Sequence, residues 1–130
     1  ILIQAIKKEW SRRKLLYDQN KYKPTTPKDG MMGAFGYHVG NSGEPLKIRR
    51  IIIDDIMITD LPLIQSPAYT AEWGEPKSQK RFNKMKYFFQ QMIFQNNKRN
   101  RDNAFDKAIT EWEDDLSYLI ENWKNKLTLL

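Results

Sequence analysis

The stretch "SQKRFNKMKYFFQQMIFQ", residues 78–95, decides the fold. Phe82, Met85, Phe89 and Met92 recur at intervals of three, four and three residues, the spacing of one face of an α-helix, behind a Ser78 that can cap the first turn. The stretch "DNAFDKAITEWEDDLSYLIENWKNKL", residues 102–127, repeats the pattern. Its apolar stripe runs through Phe105, Ala108, Trp112, Leu116, Leu119, Trp123 and Leu127, with Asp102 as the expected N-cap. Only "NNKRNR" separates the two, so they are expected to form an antiparallel pair.

Working outward, the fold class implied is all-α, a single small domain of four or five helices across residues 1–130, with a loop at 20–44 and a connector at 60–77. "ILIQAIKKEWSRRKLLYDQ" places Leu2, Ile6, Trp10 and Tyr17 near one face and is expected to be helical to about Gln19. Opening on "ILIQAI", the chain reads as a fragment of a longer protein. In "EPLKIRRIIIDDIMITDLP" a helix is favoured over a buried strand. Ile48, Ile52 and Ile56 fall four apart, Pro45 suits a first turn, and Arg50 can pair with Asp54. The connector, rich in proline, allows one short helical turn near Tyr69–Trp73.

The glycines cluster in "GMMGAFGYHVGNSG", residues 30–43. Their spacing matches neither a Walker loop, which needs a following lysine and hydroxyl, nor a dinucleotide fingerprint after a strand. The stretch is expected to turn the chain, with Gly40 and Gly43 at positive φ and "MMGAFGYHVG" as a short buried segment.

No cysteine is present, which removes disulfides, thiolate zinc sites and cysteine nucleophiles. His38 is the only histidine and is expected to be structural. No cofactor, metal or catalytic residue is expected. A nuclease-like set, Asp54, Asp55 and Glu75 with Lys77, is interrupted by Pro76. No apolar run is long enough to span a bilayer, so no membrane partner and a cytoplasmic location are expected.

Charge is the stronger functional signal. Residues 77–101 hold eight Lys and Arg and no acid, while residues 102–130 hold three cations against seven acids. Residues 1–28 form a second basic block, with eight cations against two acids. Lys77, Lys80, Arg81 and Lys84 on one side of the helix, with Lys98, Arg99 and Arg101 at its far end, can follow a phosphate backbone. Asn96, Asn97, Asn100 and Asn103 stand ready for sugar or base edges. The competing reading pairs these cations with Glu111, Glu113, Asp114 and Asp115 of the last helix. Tyr87, Phe88, Phe89 and Phe94 occupy more than one face, which offers a second surface to a partner.

Three functions therefore stand at this level. The first is a non-catalytic accessory module that binds DNA or RNA through the basic helix. The alternative is docking on another protein or an adjacent domain, and the third is a metal-dependent nuclease fragment.

The order "GYHVG", "IRRIIIDDIM", "YTAEWGEPKSQKRFNKM" and "AITEWEDDLSYL" resembles an uncharacterised bacterial helical module. In that module G-Y-x-V-G leads to an R-R helix, and E-W-G-x-P-x-S-x-x-R precedes a basic one. The resemblance covers about residues 33–121. It implies a bacterial origin and a defined helical unit, and it carries over no site.

Overall fold

The structure, a computed structural model, describes residues 30–62 and 66–128. The first expected helix and Trp10 lie outside the described residues. Among the described residues five helices follow one another: α1 (Gly30–Ala34), α2 (Leu46–Ile58), α3 (Pro67–Ala71), α4 (Gln79–Lys98) and α5 (Asp106–Trp123). No strand occurs among the described residues, so the all-α reading holds and the isoleucine run is a helix.

The pair α4 and α5 forms the most extensive contact, and α2 packs on α5. Phe82, Met85 and Phe89 of α4 face Ile109, Trp112, Leu119 and Trp123 of α5 across a buried core. From α2, Ile52, Ile53, Ile56 and Met57 close that core, and Met31, Met32 and Phe35 seal it from the glycine-rich side. Tyr37, Phe88 and Phe89 meet edge to face, with ring centroids 5.4–6.1 Å apart. Burial of these side chains, each contributing roughly 1.5–3 kcal/mol, supplies most of the drive to fold.

The helix ends have particular causes. Ser78 Oγ accepts from the Arg81 amide at 3.1 Å and starts α4 as expected. Just before it Gly74 sits at φ +63°, where a Cβ would lie 2.9 Å from Lys80 Cβ, so this turn needs glycine. At the other end the chain passes through Asp102 and Asn103, both with positive φ. Asp102 is therefore not the N-cap of α5. The N-cap is Phe105, with no side-chain cap, and Asn100 braces the turn before it: its Oδ1 accepts from the Phe105 amide at 2.8 Å, and its Nδ2 donates to Asp106 at 2.7 Å.

In the glycine stretch Met31 and Met32 are buried in α1, and the chain then turns at Gly36 and Gly40, both at positive φ. Gly43 is needed for a different reason than expected. A Cβ there would stand 2.5 Å from the Val39 carbonyl carbon, so close approach rather than positive φ demands glycine.

Candidate nucleic-acid interface

The seven cations singled out by the sequence part into distinct environments. Lys80 and Lys98 are exposed on the outer side of α4, and Lys77 and Arg101 are exposed in the turns that flank it. Between Lys80 and Lys98 the same side of the helix carries Asn83, Tyr87, Gln90, Phe94 and Asn97, all exposed. Tyr87 and Phe94 are each 56% exposed although both are large and aromatic. Seven residues apart, they lie nearly above one another along the axis, about 10 Å apart. The ammonium of Lys98 lies over the Phe94 ring, 4.4 Å from its centroid, a cation–π contact on one face of that ring.

Arg81 is a correction. It is 2% exposed and cannot meet a partner. Its guanidinium donates to four carbonyls: Trp73 through Nε at 3.2 Å, Ile56 and Thr59 through Nη1, and Gly74 through Nη2 at 2.7 Å. It thereby closes the C-terminal end of α2, where cations are favoured, and ties it to the turn before α4. Burial pushes its pKa down to about 10, with Asp60 and Glu75 opposing the change. Lys84 is also engaged. Its ammonium pairs with Glu72 at 2.7 Å and stands over the rings of Tyr69 and Trp73. Arg99 turns away from the outer stripe, with Nε and Nη2 both donating to Asn96 Oδ1 at 3.0 and 2.8 Å.

The acids of α5 are also placed unexpectedly. Glu111 and Asp115 do not meet the cations of α4; they hold Arg49 of α2. Arg49 Nε donates to Asp115 Oδ2 and Nη1 to Glu111 Oε2, both at 2.8 Å. Asp115 is fully buried and also accepts a hydrogen bond from the Tyr37 hydroxyl. Burial raises the Tyr37 pKa, and the Asp115 charge and hydrogen bond raise it further. Burial alone would lower that of Arg49, but the Asp115 hydrogen bond and the charges of Asp115 and Glu111 outweigh it and raise it. Glu111 Oε1 accepts from the Gly40 amide at 2.7 Å. The glycine turn thus gives an amide to a carboxylate of its own chain. Glu113, Asp114 and Glu121 face solvent along α5.

The consequence is electrostatic. Lys77, Lys80, Lys98 and Arg101 have no carboxylate within ion-pair distance among the described residues. Glu111 and Asp115, two acids expected to neutralise them, are held inside the fold by Arg49 of α2.

The carboxylates weighed as a metal site do not converge. Asp54 accepts from the Tyr118 hydroxyl at 2.7 Å and from Trp123 Nε1 at 2.9 Å. Arg50 lies over the Tyr118 ring, 4.8 Å from its centroid, in place of the expected pair with Asp54. Asp55 is buried at the end of α2, and Glu75 is exposed in the turn before α4. Among the described residues no group of three or more His, Asp or Glu side chains could hold a metal ion. His38 is exposed rather than buried as a structural histidine. Nor does any described helix have the length and apolarity to cross a membrane.

No protein-family model, curated protein or solved structure matches this chain.

Proposed function

We propose that this chain is a non-catalytic nucleic-acid-binding module, bacterial and cytoplasmic, and that a single strand of DNA or RNA lies along the outer side of α4. The observation that carries the reading is the exposed stripe from Lys80 to Lys98, in which Tyr87 and Phe94 alternate with amides and cations. Aromatic faces accept any base, and flanking cations follow the phosphates, which is how sequence-tolerant single-strand binding is built. A duplex would shield its base faces from Tyr87 and Phe94. The bacterial assignment rests on the sequence resemblance alone.

Protein docking is the second reading, and a different surface favours it. Leu46, Ile51 and Ile58 of α2 are 40–48% exposed and belong to no cationic stripe.

Fluorescence anisotropy of a labelled single strand across a salt series tests the proposal. With Lys77, Lys80, Lys98 and Arg101 on phosphates, the logarithm of affinity should fall with the logarithm of salt at a slope of about −3. Replacing Tyr87 or Phe94 with alanine should cost about 1–3 kcal/mol of binding each. Absence of binding at low salt would overturn the proposal.

A further inference from the structure

A groove of about 640 Å³ lies between α4, α5 and the loop of residues 37–42. That size falls within the roughly 300–1,000 Å³ of small-molecule sites. Its floor is apolar, formed by Phe88 and Met92 of α4 and by Ala108 and Trp112 of α5. His38, Asn41 and Ser42 supply polar groups from the loop, and Arg99 at the end of α4 and Lys107 at the start of α5 supply cations. Among the described residues no carboxylate lines it.

Arg99 is held from two sides. Asn96 is 2% exposed; its Nδ2 donates to the Met92 carbonyl at 2.8 Å and its Oδ1 accepts twice from Arg99. The guanidinium also lies 5.0 Å from the centroid of the Phe105 ring. A buried amide and an aromatic ring thus fix an exposed arginine, a long side chain that would otherwise lose much rotamer freedom on binding. Orientation ahead of binding is what an anion-recognising guanidinium gains from such support.

We propose that this groove binds a nucleotide, its base on the apolar floor against Phe88 and Trp112 and its phosphate on Arg99 and Lys107. The polar wall at Asn41 and Ser42 would meet the base edge. A purely apolar ligand would leave the cations unused, and a bare anion would leave the floor uncovered. Phe88, Met92 and Asn96 lie on a different side of α4 from Tyr87 and Phe94, so this site stands independently of the strand-binding stripe. The same chemistry is offered by a free mononucleotide and by the phosphorylated end of a strand.

NMR titration of the labelled protein with UMP, AMP, uridine and inorganic phosphate decides the matter. Either nucleotide should shift the Trp112 indole N–H and the Ala104 and Ala108 amides saturably. Arg99→Gln should weaken this about ten-fold, as for loss of a charge-assisted hydrogen bond. Arg99→Lys should recover little of it, since the planar fork is lost. A Lys80→Ala variant should bind UMP and AMP as the parent does. Competition by a phosphorylated oligonucleotide would identify the strand end as the source, and its absence would identify the free nucleotide. If uridine or phosphate alone binds as tightly as UMP, or if neither nucleotide shifts these signals, the proposal is overturned.

Discussion

Lys80 and Arg81 are adjacent in the chain, and the fold uses them in opposite ways. Lys80 stands in solvent at the start of an aromatic stripe. Arg81 is sealed beneath the surface and spent on four backbone carbonyls. The same division separates α2 from α4: Arg49 is locked onto Glu111 and Asp115, whereas Lys98 and Arg101 remain open. Positive charge counted along a sequence mixes cations that build the fold with cations it presents outward. Only packing tells them apart.

The contrast is sharpest at Asp115. Asp115→Ala would leave Arg49 with one carboxylate and the Tyr37 hydroxyl without its acceptor, so a loss of about 3–5 kcal/mol is expected. Urea denaturation would measure it, and a loss below 1 kcal/mol would mean that Arg49 is not a structural cation. Arg81→Met should cost less, about 1–3 kcal/mol, because the groups it strands are neutral carbonyls. Strand affinity of the folded variant should be unchanged; a marked fall would return Arg81 to the binding surface. At the other extreme, Lys80→Ala with Lys98→Ala should move stability by no more than about 0.5 kcal/mol while reducing the salt dependence of binding.

A pH dependence sharpens the picture of the interior. Burial, then the Asp54 hydrogen bond and charge, raise the Tyr118 pKa from 10.0 to about 12, with Arg50 opposing. The native state therefore retains a proton that the unfolded chain releases above the ordinary tyrosine pKa. Its contribution is full below pH 10.0 and is lost as pH rises toward about 12. Denaturation midpoints should fall across that window, and Tyr118→Phe should make the fall shallower.

The periodic segments were legible because burial follows spacing: Phe82, Met85 and Phe89 are buried as their intervals require, and so are Trp112, Leu119 and Trp123. The Ser78 cap was legible for a local reason, since it acts within one turn. The expected Asp102 cap does not form because the chain passes through positive φ at Asp102 and Asn103 and α5 starts only after Phe105. The clasp of Tyr37, Arg49, Glu111 and Asp115 joins residues more than sixty positions apart, and no local pattern announces it. The stripe lay between these cases. That α4 has a second aromatic face was visible in Tyr87, Phe88, Phe89 and Phe94 occupying more than one face; that Arg81 and Lys84 would be withdrawn was not, because their partners lie in α2, α3 and the intervening turns.

The most direct test is an NMR titration of the labelled protein with a short single-stranded oligonucleotide, read residue by residue. The account predicts shifts along Lys80, Asn83, Tyr87, Gln90, Phe94 and Lys98, with the Arg81 side chain and the Arg49–Asp115 clasp unmoved. Shifts confined to α2, or none along the outer side of α4, would contradict it.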